Sequence, residues 1–188
     1  RPRYVQRLKV ELAEDGKKVD EMTRNLKVTP KPVILAHGIW SNYLIWELWQ
    51  NFFTTLHSYD WKAYAIGEKS GKGAFQMGGS FMSTNFTNNM YDNSTQLGNY
   101  IKYAQEEENA WHVDIVAHNL GGLAARHYIH TFMQTYPDGR PQVSHLLLLG
   151  TPNLGSQCFD IYNATLNLAG TPVEAVRQMT QGHAIEFN

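Results

Sequence analysis

The sequence predicts an α/β fold, a mostly parallel sheet with helices on both faces. Three observations predict it. Short continuous apolar runs, such as Pro32-Val33-Ile34-Leu35-Ala36, read as strands buried on both faces. Segments with apolar residues at helical spacing separate these runs. The strict alternation of the two favours right-handed βαβ crossovers over hairpins.

The elements follow in order. Residues 4–13 alternate, with Tyr4, Gln6, Leu8, Val10 and Leu12 against Val5, Arg7 and Lys9. Asp15-Gly16 then supplies a hairpin turn, and a second extended run leads to Leu26 and Val28. Residues 1–30 thus read as an antiparallel hairpin or extended lead-in to a domain over 31–188. Within that domain, 32–36 is the first buried strand. A helix is predicted over 41–57, with Leu44, Ile45, Leu48, Trp49 and Phe52 at helix spacing. A strand over 61–66 follows, then a helix over 92–108 marked by Leu97, Tyr100, Ile101 and Ala104. The strand 113–117, the helix 120–133 and the strand 143–149 complete the alternation. Thr171-Pro172-Val173-Glu174 has the pattern of a capping box, with Thr171 as N-cap of a helix reaching Met179. Residues 67–91, rich in Gly, Ser, Asn and aromatics, show no period. A stretch of that length beyond a strand's C-terminal end reads either as a loop covering a substrate or as plain disorder.

Composition narrows the function. The 188 residues are 43% hydrophobic and 18% charged, an ordinary globular balance, and suffice for one real core. A net charge of -1 offers no basic field for nucleic acid. No apolar run approaches the ~20 residues of a transmembrane segment. Arg1-Pro2-Arg3-Tyr4 shows no apolar leader segment. Cys158, the single cysteine, has no partner for a disulfide or a Cys-based zinc site. Sequons at Asn85, Asn93 and Asn163 matter only in a glycosylating compartment. The compartment stays open, with a secreted or extracytoplasmic one the expectation.

The stretch that carries chemistry is Val113-Asp114-Ile115-Val116-Ala117-His118-Asn119-Leu120-Gly121-Gly122. A buried strand runs into small residues and then a helix, the context of a nucleophile elbow. Such a turn strains its central residue and needs small neighbours so that strand and helix can approach. Ala117, Gly121 and Gly122 are those neighbours, and the central residue is Asn119, a type that tolerates positive φ.

This stretch resembles the Ala-His-Ser-x-Gly-Gly elbow of bacterial lipases and esterases of the α/β-hydrolase superfamily, with asparagine in place of serine. Leu35-Ala36-His37-Gly38-Ile39-Trp40 resembles the family's His-Gly oxyanion turn. Leu149-Gly150-Thr151-Pro152-Asn153-Leu154-Gly155-Ser156 resembles its Gly-Thr-Pro-x-x-Gly-Ser segment, and 179–188 resembles a lipase segment ending in Phe-Asn. The resemblance covers 31–188, and three motifs in the right order make it specific.

The resemblance implies an α/β-hydrolase fold and a serine hydrolase that cleaves an ester or lipid through an acyl-enzyme, with no cofactor and no metal. It places the nucleophile at position 119 and the oxyanion donors at the backbone N–H groups of Ile39 and Leu120. His37, Gly38, His118, Gly121 and Gly122 support the site. A carboxamide cannot be deprotonated to an alkoxide equivalent, so Asn119 implies a chain without acyl-enzyme chemistry. The family's acid and histidine follow later strands, so they and the C-terminal strands are expected beyond Asn188. A downstream segment or partner chain would then cover the sheet edge. The alternative is a non-catalytic pseudoenzyme, a binding or scaffold module that kept the fold.

Other features have plainer readings. His118 is expected to pack beside the elbow. His127 and His130 share a helix face, but no third metal ligand is in view. Asp160 is a conceivable acid, with a loop or capping role the plainer one, and His183 is not expected to be the base. Lys69-Ser70-Gly71-Lys72-Gly73 lacks the full phosphate-loop signature. Trp40, Trp46 and Trp49 could line an acyl pocket or simply fill core.

Overall fold

The computed structural model describes residues 5–55 and 61–187. Expectations for 1–4, for the last turn of the 41–57 helix and for Asn188 lie outside the described residues. Strands β1 (Val5–Glu14) and β2 (Lys17–Lys27) form an antiparallel ribbon that is a sheet of its own. Asp15 (φ 48°) and Gly16 (φ 74°) make its turn, both in the left-handed region that a two-residue hairpin requires. Register pairs Val10 with Met22 on one face and Glu11 with Glu21 on the other. On the second face Lys9 bridges to Glu21 at 2.9 Å, which relieves the like-charge pair.

The main sheet contains β3 (Val33–Ala36), β4 (Ala63–Ala65), β5 (Val113–His118) and β6 (Val143–Leu149) in the order β4-β3-β5-β6. All its pairings are parallel. All four β3 residues are buried, as a central parallel strand demands. One face, with Ile34, Ala36, Ile115 and Ala117, packs on α2 (Met90–Glu108) and α3 (Leu120–Thr131). The other face, with Val33, Leu35, Ala65 and Val116, packs on Trp46 and on Tyr43 and Phe53. Asn89 caps α2 by accepting from Asp92 N at 2.8 Å, and Asn109 ends it in the left-handed region. Gly98 and Gly122 leave room for Tyr128 and Thr151, so the α2 and α3 backbones can sit close to their neighbours.

The structure corrects several expectations. Residues 43–46 form a 3-10 turn before α1 (Glu47–Thr55), and the residues at helix spacing, Leu44, Ile45, Leu48, Trp49 and Phe52, are exposed. Trp46 is the buried residue there. The periodicity was real, but this face is mostly open to solvent, with Trp49 edge-on to Trp46 at 5.8 Å. Thr171 does not cap a helix. α5 (Glu174–Arg177) begins after Val173, and Glu174 pairs with Arg177 at 2.6 Å rather than closing a capping box. Two helices were not predicted, α4 (Gln157–Leu168) and α6 (Gln181–Phe187). In α4, Phe159, Tyr162 and Leu166 face inward while Ile161 and Leu168 face out, so no single-sided stripe marks it in the sequence.

β6 is an edge strand, and Leu147 is 52% exposed. Residues 67–89 are built from turns around a Met77–Thr87 bridge, with Phe75 and Met77 in the core, and residues 90–91 already belong to α2.

Candidate active site

The three sequence motifs meet at the C-terminal edge of the sheet. β5 ends at His118, and Asn119 then takes φ 53°, ψ -125° before α3 opens at Leu120. This is a strained conformation for any residue with a Cβ. It is held on both sides, since Asn119 N donates to Leu149 O at 2.9 Å and Gly122 N donates to Asn119 O at 3.0 Å.

The flanking glycines are required by space. A Cβ on Gly38 would lie 2.6 Å from the Asn119 Cβ and 2.9 Å from its Oδ1. One on Gly121 would strike the His37 carbonyl oxygen and lie 2.8 Å from that of Ala36. One on Gly122 would strike the Thr151 side chain. The His-Gly turn, the strand–helix turn and the Gly-Thr-Pro segment therefore interlock at backbone distance.

Ile39 N donates to Asn119 Oδ1 at 3.4 Å, a long bond across 80 positions of sequence. Leu120, the first residue of α3, has an N–H without an intrahelical acceptor. The helix adds its positive end there. Two backbone donors thus flank position 119. His37 is buried under this turn, donates from Nδ1 to Gly38 O at 3.1 Å and meets Phe75 edge-on at 5.4 Å. Burial pushes its pKa down to about 4, opposed by that hydrogen bond and assisted by His118. The ring is therefore neutral at pH 7 and serves as a wedge under the turn.

His118 departs from expectation. Its side chain is exposed at the end of β5 rather than packed beside the turn. Asp160 supplies no acid to position 119, because its Oδ1 accepts Gln181 N at 2.9 Å at the start of α6. His183 lies 3.4 Å from Arg177 Nη1. Among the described residues, no histidine or carboxylate hydrogen-bonds Asn119. His127 Nδ1 lies 3.0 Å from Ser94 Oγ in the α2–α3 seam, and no cluster of metal-ligating side chains is present among the described residues. Asn93 is buried, its amide held between Gln76 N and Asn88 O, so its sequon is closed in the folded chain.

Trp40 has a larger role than the sequence indicated. It follows the donor Ile39, takes φ 54°, and donates from its backbone to Met77 O at 2.7 Å and from Nε1 to Ser83 O at 3.2 Å. The 67–91 segment is thereby fastened to the site. Trp40, Met82, Cys158, Phe159 and Tyr162 line an open apolar hollow of about 240 Å³. Trp46, by contrast, is core and Trp49 is exposed on α1.

Comparison with known proteins gives a family and a fold. Residues 29–181 match the family described as "Putative serine esterase (DUF676)", and the chain belongs to that family. No curated protein matches it in sequence. Its fold is similar to that of phospholipase PlaB from Legionella pneumophila, with a TM-score of 0.58 and 14% identity over 84% of this chain. The same phospholipase in complex with thio-NAD matches with a TM-score of 0.57 and 16% identity, again over 84% of this chain. The chain spans about a third of those proteins, 35% and 33% of their lengths. The fold is that of an α/β-hydrolase.

Proposed function

We propose that this member of a serine esterase family is the part of a lipase- or carboxylesterase-type hydrolase that carries the nucleophile position and the oxyanion donors, and that Asn119 silences it. The observation that carries the reading is the backbone of Asn119, φ 53° and ψ -125°, between a buried parallel strand and a glycine-opened helix. That turn lifts the side chain of residue 119 over the sheet edge, toward the N–H of Ile39.

The chemistry follows from the groups present. An ester carbonyl attacked at this point would develop negative charge on oxygen. Ile39 and Leu120 N–H groups, with the α3 dipole, would stabilise it without reorganising. None of these groups depends on the identity of residue 119. The attack does depend on it, because a carboxamide has no hydroxyl for a base to deprotonate. The substrate class is an ester or lipid. Among the described residues, no histidine or carboxylate hydrogen-bonds position 119, so none of them is assigned as the general base or its orienting acid.

One observation favours a second reading, a binding module that kept the fold. The Asn119 Oδ1 already accepts the Ile39 N–H, so the side chain partly occupies the place of the oxyanion. Asn119→Ser separates the two. Hydrolysis of a short-chain activated ester is measured with and without the downstream sequence. A silenced hydrolase gains at least about 10³-fold with serine and the downstream segment together. No gain in any combination means that the fold serves binding alone.

A further inference from the structure

The ribbon of β1 and β2 leaves one of its faces uncovered. Its register puts Gln6, Leu8, Val10 and Leu12 on that face, opposite Leu26, Arg24, Met22 and Asp20. Leu8, Val10, Leu12, Met22 and Leu26 are each between 48% and 63% exposed. No third strand joins the ribbon, which is a sheet of its own. A lone two-stranded hairpin is marginal in water and needs something packed on its apolar face. The opposite face has no such need, because Lys9, Glu11 and Glu21 pair there within the ribbon and with Lys18.

Two charges stand on the apolar face, Arg24 and Asp20, and neither makes an ion pair among the described residues. Their placement is symmetric. They flank Met22 along β2, one row to either side of the central Val10–Met22 pair. A two-fold axis lying across the strands at that pair would bring a second copy face to face. It would set Val10 over Val10, Met22 over Met22, and Leu8 of one copy over Leu12 of the other. Arg24 would then stand over Asp20 in two equivalent places. Sheets pack face to face about 10 Å apart with strands near alignment, a gap that an arginine and an aspartate close between them.

We propose that this face is an isologous dimer interface, closed by apolar contact between two copies of the ribbon and keyed by two Arg24–Asp20 pairs. The charges select the occupant. An apolar cover without countercharges would bury Arg24 and Asp20 unpaired, which is costly. An unrelated sheet would have to supply both countercharges in the right rows, whereas a second copy supplies them by symmetry. The four rows span roughly 24 Å by 10 Å, less than a standard interface, so the dimer is weak and half-formed at about 10–100 μM. This goes beyond the hydrolase reading, because neither position 119 nor the oxyanion donors take part in it.

The test is sedimentation equilibrium of the full chain from about 1 to about 300 μM. The parent should pass from monomer to dimer across that range. Arg24→Asp sets two like-charge pairs across the interface and should raise the dissociation constant by about tenfold or more, and Asp20→Arg should do the same. Both substitutions in one chain should restore the dimer to within about threefold of the parent. An equimolar mixture of the two single variants should form a heterodimer. Restoration by the swap distinguishes a lost ion pair from a ribbon that has unfolded. Val10→Asp places a charge against its own copy and should leave a monomer. Three results would overturn the proposal. A parent that stays monomeric throughout would assign the face to a different partner. A swapped chain as weak as the single variants would exclude the Arg24–Asp20 contact. A dimer that survives Val10→Asp would form through another surface.

Discussion

Two regions lie side by side at the sheet edge and are built on opposite principles. At the turn around Asn119, each flanking residue has no space to be anything else: Gly38, Gly121 and Gly122 each touch backbone or side chain where a Cβ would stand. Along the exposed rim formed by the 67–89 segment and α4, Gly79 has nothing within 4 Å of its would-be Cβ, and Phe81 and Ile161 meet solvent. The first region is determined from within, by packing. The second has its composition without an internal reason. A substitution at the turn should therefore cost folding stability, and one at the exposed positions should cost little.

The largest expected effect tests whether the turn still holds a working geometry. It is the gain in ester hydrolysis from Asn119→Ser with the downstream sequence. Next comes the packing itself. Gly121→Ala should destabilise the chain by more than about 3 kcal/mol, because its Cβ meets two backbone oxygens that cannot move without shifting β3. Gly79→Ala should cost only about 1 kcal/mol, from its φ of 74° alone. Urea unfolding of both variants makes the comparison. Similar losses would show that the turn is no tighter than the rim.

A third measurement uses pH. The His37 pKa falls from 6.5 to about 4 on folding, chiefly by burial. Below pH 6.5 the unfolded chain takes up a proton that the native chain refuses until about pH 4. Stability should therefore be unaffected by this group above pH 6.5 and should fall as pH drops from 6.5 to 4, by about 3 kcal/mol in all. His37→Gln should remove that slope. An identical pH dependence in the variant would mean that some other group governs it.

The same contrast explains what was legible in the sequence. The parallel sheet, α2, α3 and the turn at Asn119 were readable because buried strands and close backbone approaches restrict residue type. β3 must be apolar throughout, and Gly121 must be glycine. α1 misled, since Leu48 and Phe52 have the spacing of a core face but are exposed. α4 was invisible because its hydrophobes divide between two sides. The cap at Thr171 failed because Glu174 has a better partner in Arg177. The exposed position of His118 had no signal at all, since strand alternation fixes a side of the sheet but not what covers it. Trp40 had a weak one, its place directly after His37-Gly38-Ile39, and only the fold shows that it ties the 67–91 segment to the site.

The smallest prediction isolates the strain at position 119. A non-glycine residue at φ 53°, ψ -125° costs of the order of 1–3 kcal/mol, and no side-chain cap bond from Asn119 to α3 offsets it. Glycine tolerates this backbone but adds conformational freedom to the unfolded chain, which returns part of the gain. The long Ile39 N–H bond to Oδ1 would also be lost, a minor term at 3.4 Å. The net expectation for Asn119→Gly is a stabilisation of about 1 kcal/mol in urea unfolding, and Asn119→Ala should fall on the other side of the parent. A chain in which glycine destabilises and alanine does not would show that the turn relaxes to negative φ in solution. The hydrolase reading would then lose the backbone geometry on which it rests.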